Sequence, residues 1–142
     1  MKILFDTNVV LDVLLARHPY APVAAQLLSL ADQGRLHGVL CATTVTTIHY
    51  LASKAVGHRE AQKHVGEILR IFEVAPVTHS VLVDAIGTRF SDCEDAVLHE
   101  AARAAGVAGI VTRNARDFER ASLPILSPEE LLSAVLAVKP TG

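Results

Sequence analysis

Residues 2–15, with the sequence KILFDTNVVLDVLL, decide the fold of this chain of 142 residues. The apolar run at its start is too short for a stable helix and predicts a strand over residues 2–6 that is buried on both faces. Thr7 or Asn8 is then predicted to cap a helix that extends to about residue 16. Asp6 therefore closes a buried strand, at the end where open α/β sheets bind their ligands.

The rest of the chain alternates between short apolar runs and helical patterns. Strands are predicted at residues 37–42, 73–77, 109–112 and 123–126. Helices are predicted at residues 21–33, 43–56 (capped by Thr43 or Thr44), 58–72, 79–89, 92–105 and from 128 to before Pro140. Because strands that alternate with helices form parallel sheets covered on both faces, we expect a three-layer α/β/α domain with a central parallel sheet. Residues 1–139 are predicted to form this single domain, and residues 140–142 a C-terminal tail.

Composition and charge limit the functions that the chain can have. An apolar fraction of 51% with 20% charged residues predicts a folded globular domain. The formal net charge is −2, so nucleic-acid binding would need a local basic patch or a bridging metal ion. No apolar run approaches the ~20 residues of a membrane span, and acidic residues interrupt the first apolar stretch. We therefore expect a soluble, cytoplasmic protein without a membrane partner.

Acidic residues occur in three places that follow strand or turn signals. Besides Asp6, they lie in the segments 92–95 (Asp-Cys-Glu-Asp) and 112–117 (Thr-Arg-Asn-Ala-Arg-Asp). A divalent cation such as Mg²⁺ prefers hard carboxylate oxygens, so the three segments could converge into one cation site. The alternative is structural: Ser91 and Glu94 have the spacing of a capping box, and acidic residues favour the first turn of a helix.

Taken together, these segments resemble the PIN-domain nucleases, particularly the VapC-like ribonuclease toxins of type II toxin–antitoxin pairs. The resemblance is carried by residues 5–12, 92–96, 110–118 and 126–131. It implies a metal-dependent ribonuclease that hydrolyses RNA phosphodiester bonds with Mg²⁺ or Mn²⁺. It also implies a small antitoxin partner that occludes the acidic pocket. A homodimer is expected too: helices 21–33 and 58–72 offer Leu and Val faces for its interface, although core packing explains the same residues.

The resemblance assigns roles to individual residues. The family's metal-binding and catalytic acids fall on Asp6, Asp95 and Asp117, and Glu94 is expected to assist them. The polar residues that orient carboxylates or water fall on Thr7, Asn8, Thr112 and Asn114.

One acid of the family pattern is missing from this sequence. The family usually places a Glu early in the helix after the second strand, whereas residues 43–50 contain none and His49 stands near that position. His49 could ligate a softer ion such as Mn²⁺, hydrogen-bond water or substrate, or be only a helix-surface residue. Glu94, next to Asp95, could restore the missing charge.

Two further features leave alternatives open. Arg113, Arg116 and Arg120 lie beside Asp117 and could hold RNA phosphates, or belong to a solvated loop. With few aromatic residues, no base-stacking platform is evident. The missing Glu also allows a catalytically weakened PIN-like module that binds RNA or a protein without cleaving. A third hypothesis is a small-molecule or phosphoryl-transfer α/β domain that uses Asp6 and Mg²⁺.

Overall fold

The computed structural model describes residues 1–138. Five strands form its sheet: β1 (Lys2–Phe5), β2 (His37–Cys41), β3 (Glu73–Ala75), β4 (Gly109–Val111) and β5 (Ile125–Leu126). The helices are α1 (Thr7–Leu14), α2 (Ala21–Asp32), α3 (Ala42–Val56), α4 (His58–Ile71), α5 (His79–Ile86), α6 (Cys93–Ala104) and α7 (Pro128–Ala137). A short 3-10 helix, Ala115–Phe118, lies between β4 and β5.

The sheet has the order β3-β2-β1-β4-β5, and every neighbouring pair of strands is parallel. The predicted α/β architecture with a central parallel sheet is confirmed. The strand order reverses between β1 and β4, because successive strands are added on one side of β1 and then on the other. In such sheets ligands bind beside the carboxyl ends of the strands at this switch point. Asp6 follows β1 directly and therefore lies there.

Two hydrophobic clusters cover the two faces of the sheet. Successive side chains of a strand point to opposite faces. In β1, Ile3 and Phe5 accordingly belong to a cluster with α1, α2, α4 and α7, whereas Leu4 packs with α5 and α6. All three side chains are at most 1% exposed. Burial on both faces explains why β1 is a continuous apolar run and fixes the position of the polar residue that ends it.

Several predicted boundaries and caps were wrong in detail. The α1 helix is capped by Asp6, whose side chain accepts a hydrogen bond from the Thr7 amide, so Thr7 and Asn8 already lie inside the helix. The α3 helix begins at Ala42 without a side-chain cap, two or three residues earlier than a cap at Thr43 or Thr44 would allow. The 3-10 helix was not predicted. The predicted tail, residues 140–142, and the last residue of the predicted domain lie outside the described residues.

Across residues 1–138, no helix is both long enough and apolar enough to cross a membrane.

Candidate active site

Asp6 is held in one orientation at the end of β1. Its Oδ1 accepts a hydrogen bond from the Thr7 amide at 2.8 Å, and its Oδ2 accepts one from the Thr112 hydroxyl at 2.7 Å. The Asn8 side-chain amide lies 3.3 Å from the same Oδ2. The carboxylate is only 8% exposed. All three partners are neutral, so the negative charge of Asp6 is oriented but not compensated.

Thr112 and Asn8 connect the ends of β1 and β4. Phe5 pairs with Val111 in the sheet, which brings the next residues, Asp6 and Thr112, side by side. The Thr112 hydroxyl accepts a hydrogen bond from the Asn114 amide at 3.0 Å while it donates to Asp6. The Asn8 side-chain oxygen lies 3.4 Å from the amide nitrogen of Arg113. These contacts fit the orienting role that the resemblance implies for Asn8 and Thr112, while Asn114 contributes through its backbone.

A cavity of about 260 Å³ opens at this edge of the sheet. The structure brings the side chains of Asp6, Glu94, Asp95 and Asp117 together in its lining. The same lining includes polar residues and one basic residue of the described chain: Thr7, Asn8, Thr43, Thr44, Thr47, Asn114 and Arg17. The acidic segments that the sequence analysis grouped on chemical grounds therefore share one pocket. Thr112 is the exception among the predicted residues, because it is buried behind Asp6 and is not part of the lining.

The carboxylates of this pocket disfavour one another's ionised forms. Burial raises the pKa of Asp6, and the charges of Asp117 and Glu94 raise it further, although its hydrogen bonds act in the opposite direction. Burial raises the pKa of Asp95 to about 7, assisted by the charges of Asp92, Asp6, Asp117 and Glu94. Such repulsion is what a bound cation relieves.

The start of α6 separates structural from pocket-facing acids. Asp92, and not Ser91, is the N-cap, because its Oδ1 accepts a hydrogen bond from the Asp95 amide at 3.0 Å. The predicted capping box of Ser91 and Glu94 was therefore wrong. The Glu94 carboxylate instead faces the pocket and accepts a hydrogen bond from the Thr47 hydroxyl at 3.3 Å. Glu94 thus bridges the pocket to α3, the helix that lacks the expected acid.

His49 does not take the place of that acid. It lies outside the pocket lining and packs against His58, with ring centroids 5.3 Å apart. Thr43 and Thr47 are four residues apart and share the helix face that lines the pocket. His49 is two residues beyond Thr47, about 200° further around the helix. The structure therefore favours the surface interpretation of His49 over the ligand or water-binding ones.

Arg113, one of the three arginines that could hold RNA phosphates or belong to a solvated loop, is engaged in contacts within the chain. Its Nε lies 2.6 Å from Asp12 Oδ2, its second guanidinium nitrogen lies 3.1 Å from Oδ1, and its guanidinium stacks on Tyr20 at 4.0 Å. Arg17 completes the cluster, 2.8 Å from Asp12 Oδ1 and 3.3 Å from the Asn8 carbonyl oxygen. Sequence analysis missed Asp12 and Arg17. The available signal was a charged residue on the buried face of α1, which requires a partner.

The donor set of the pocket fits a hard divalent ion in its chemistry. Carboxylate and hydroxyl oxygens predominate, and within the described residues 1–138 no thiol or imidazole lines the cavity. The carboxylates do not stand as a preassembled cluster: among residues 1–138, no three His, Cys, Asp or Glu side chains are grouped closely enough to hold a metal ion.

Comparison with known families places this fold and pocket in one class. The PIN domain family model matches residues 2–116, which include Asp6, Glu94 and Asp95 and end one residue before Asp117. The chain therefore belongs to the PIN domain family of nucleases. Among curated proteins, none matches this chain.

Solved structures share the fold at low sequence identity. A structure of VapBC2 from Rickettsia felis, bound to a DNA fragment from its promoter, aligns with a TM-score of 0.71 and 17% identity, over 89% of this chain and 98% of the other. VapBC-1 from nontypeable Haemophilus influenzae aligns with a TM-score of 0.67 and 14% identity, over 91% and 99%. VapC20 of Mycobacterium tuberculosis, described as a Sarcin-Ricin loop cleaving toxin, aligns with a TM-score of 0.63 and 16% identity, over 76% and 86%.

Proposed function

We infer that this protein is a metal-dependent ribonuclease that hydrolyses RNA phosphodiester bonds. One observation carries the proposal: Asp6, Glu94, Asp95 and Asp117 come from three separate segments and meet in one pocket at the switch point of the sheet. Burial, and after it the charges of neighbouring carboxylates, raise the pKa values of Asp6 and Asp95 there. A chain tolerates such repulsion where a cation offsets it in use.

Asp6, Asp95 and Asp117 would hold Mg²⁺ or Mn²⁺, with Glu94 beside them. When bound, such an ion supplies neutralisation of charge on the phosphate and a lower pKa for a water in the site. The chain itself supplies orientation. Thr112 and the Thr7 amide fix the Asp6 carboxylate, and Thr47 fixes that of Glu94.

Arg17 gives the pocket its positive charge on the substrate side. Asp12 and the Asn8 carbonyl oxygen hold its guanidinium at the pocket wall. A guanidinium fixed in this way can contact a phosphate oxygen without losing its own side-chain entropy. We assign Arg17 the role of positioning the phosphate in the pocket.

The biological setting that we propose is a toxin paired with a small antitoxin. The support is the fold shared with two VapBC structures and with a structure described as a toxin–antitoxin complex from Klebsiella pneumoniae. The antitoxin would occlude the acidic pocket. A homodimer is proposed as well. The apolar residues Leu27, Leu28 and Leu30 of α2 and Val65 and Ile68 of α4 belong to the core.

Cleavage of single-stranded RNA by the purified protein with Mg²⁺, with Mn²⁺ and with a chelator tests the proposal. We expect cleavage with either ion and none with the chelator. Asp6→Asn should abolish cleavage, whereas Asp84→Asn, the same change on the exposed side of α5, should not. Cleavage that persists in the chelator, or in Asp6→Asn, would refute this assignment.

A second candidate is a PIN-like module that binds RNA or a protein without cleaving. It is favoured by the pocket-facing residues of α3, which are Thr43, Thr44 and Thr47 and carry no carboxylate. The same assay discriminates the two candidates. Tight RNA binding without cleavage under any divalent ion would favour the module.

A further inference from the structure

Two shallow depressions extend from the acidic pocket along the molecular surface. The first meets the pocket at Asp117 and is lined by Arg89, Phe90, Ser91, Arg116, Asp117, Glu119 and Arg120. The second shares Arg89, Phe90 and Arg120 with the first and continues past His99 to Arg103. We call the surface formed by Arg89, Phe90, Arg116 and Arg120 the arginine groove. It starts where the acidic pocket ends.

The three arginines of the arginine groove outnumber the two acidic residues, Asp117 and Glu119, that line its first depression. Arg89, Arg116 and Arg120 are exposed. Across residues 1–138, none of the three takes part in an ion pair. Arg103, at the far end, differs because it is 2.9 Å from Glu100. Three free guanidinium groups on a chain of net charge −2 form the local basic patch that the composition alone could not locate.

Phe90 adds an aromatic ring to this basic surface. The ring is partly exposed and lines both depressions. Its orientation is fixed from below, since its centroid lies 5.0 Å from that of His99 and 6.0 Å from that of Phe118. A held aromatic ring among arginines is the combination on which single-stranded nucleic acids stack a base and anchor phosphates.

We propose that the arginine groove binds the single-stranded RNA that flanks the scissile phosphate, with phosphates on Arg89, Arg116 and Arg120 and a base on Phe90. This inference rests on the proposed ribonuclease function. A phosphodiester approaching four carboxylates is repelled, and the adjacent guanidinium groups offset that repulsion along the strand. An acidic protein segment would match the charges of the three arginines equally well, but it carries no base that would stack on the Phe90 ring.

Binding of a labelled single-stranded RNA of about 12 nucleotides tests the groove, since such strands span a typical site. The full chain carrying Asp6→Asn is used in buffer without divalent ions, so that the RNA stays intact. Two variants are made in this Asp6→Asn background. One is the groove triple variant, with Arg89→Gln, Arg116→Gln and Arg120→Gln, and the other is Phe90→Leu. The matched control is Arg35→Gln, Arg59→Gln and Arg70→Gln, three exposed and unpaired arginines elsewhere among the described residues.

The groove triple variant should weaken RNA binding at least about tenfold and lower the slope of log Kd against log salt by about two, because each single-strand phosphate contact contributes ~0.7. Phe90→Leu should weaken binding about tenfold with an unchanged salt slope. The control triple variant carries the same change in net charge, but its three substitutions lie outside the groove. It should therefore match the parent within about twofold. Thermal unfolding of each variant verifies that it is folded.

The inference is overturned if the groove and control triple variants lose binding equally, or if the groove variant binds RNA like the parent. A glutamate-rich peptide that loses binding to the groove variant, while RNA does not, would assign the groove to a protein instead. Failure of the proposed function looks different. In that case the protein with intact Asp6 does not cleave RNA with Mg²⁺ or Mn²⁺, whatever the groove variants do to binding.

Discussion

Asp6 and Asp12 are both buried, six residues apart around the same helix, yet their surroundings differ in kind. Asp12 is 1% exposed and contacts two guanidinium groups, those of Arg17 and Arg113. Asp6 is 8% exposed and contacts only neutral donors, while burial, and to a lesser degree the charges of Asp117 and Glu94, raise its pKa. The charge of Asp12 is neutralised by two arginines, whereas among the described residues no basic side chain forms an ion pair with Asp6.

The difference separates structural burial from functional burial. The Asp12 carboxylate holds the guanidinium groups of Arg17 and Arg113. Arg17 is thereby kept at the pocket wall, and the Arg113 backbone amide is kept near the Asn8 side chain. A buried charge with matched partners stabilises an arrangement. A buried carboxylate among other carboxylates destabilises the fold through charge repulsion, so its presence indicates a functional site. The following predictions set the two regions against each other.

Asp6→Asn should have the largest effect, on activity alone. RNA cleavage should fall at least about 1,000-fold, or ~4 kcal/mol of transition-state stabilisation, because a ligand charge is removed. The unfolding free energy of the metal-free protein should stay equal or rise, since repulsion in the pocket is relieved. Initial cleavage rates and thermal unfolding without metal measure the two effects. A marked loss of stability would place Asp6 in the same class as Asp12.

Asp12→Asn should have the opposite signature. Removing the charge leaves Arg17 and Arg113 without their counter-ion, and we expect a loss of about 3 kcal/mol in unfolding free energy. Arg17 and Arg113 are 38% and 21% exposed, so water limits the loss. Chemical denaturation provides the measurement, and Asp32→Asn, an exposed acid at the end of α2, is the control. A stability equal to that of the parent would show that the ion-pair cluster is dispensable.

The pH dependence of stability should reveal the uncompensated pocket. Asp95 has a pKa of about 7 in the fold against an ordinary 3.8, so between these values the folded protein retains a proton that the unfolded chain has released. The metal-free protein should therefore lose stability as pH rises from about 4 to about 7. Asp95→Asn should remove this part of the slope. Mg²⁺ binding should strengthen over the same range, because the proton must leave before the ion binds.

Denaturation at several pH values, with and without Mg²⁺, measures both trends. A stability that rises over this range in the parent, and that Asp95→Asn does not alter, would show that the pocket does not hold Asp95 in its neutral form.

The smallest expected effect concerns the acid missing from α3. Thr47→Glu places a carboxylate on the pocket face of the helix and should tighten Mg²⁺ binding on the order of fivefold, or ~1 kcal/mol. His49→Glu, two residues away, should leave Mg²⁺ affinity unchanged within about twofold, because that side chain is outside the pocket lining. Metal titration of the two variants gives the comparison. Tighter binding in His49→Glu alone would restore His49 to the site.

Sequence reasoning succeeded where one local signal has one physical solution. A five-residue segment that is apolar on both faces and ends in Asp6 has little choice but to be a central strand, and the alternation of further strands with helices then implies a parallel sheet. The three acidic segments could be grouped because each follows a strand or opens a helix, whereas the choice of Asp6, Asp95 and Asp117 within them came from the resemblance to PIN-domain nucleases and stays a prediction. Boundaries were less certain: α5 ends at Ile86 and not near residue 89, and β5 is only two residues long.

Roles within clusters could not be derived from the sequence. Glu94 and Asp92 are two residues apart, and only the rotation of the first turn of α6 decides that Asp92 caps the helix while Glu94 faces the pocket. His49 and Thr47 are separated in the same way on α3. Arg113 and Arg116 look equivalent along the chain. Asp12 forms an ion pair with Arg113, whereas Arg116 takes part in no ion pair of the described residues.

The amino-acid sequence by itself determined the sheet, its helical layers and the position of Asp6 at the end of β1, because burial and periodicity act over a few neighbouring residues. The tertiary structure alone decided which charges are neutralised. Asp12 meets Arg113 across 101 positions of the chain, and Asp6 meets Thr112 across 106. Electrostatic pairing depends on distance in space, and no local pattern contains that distance.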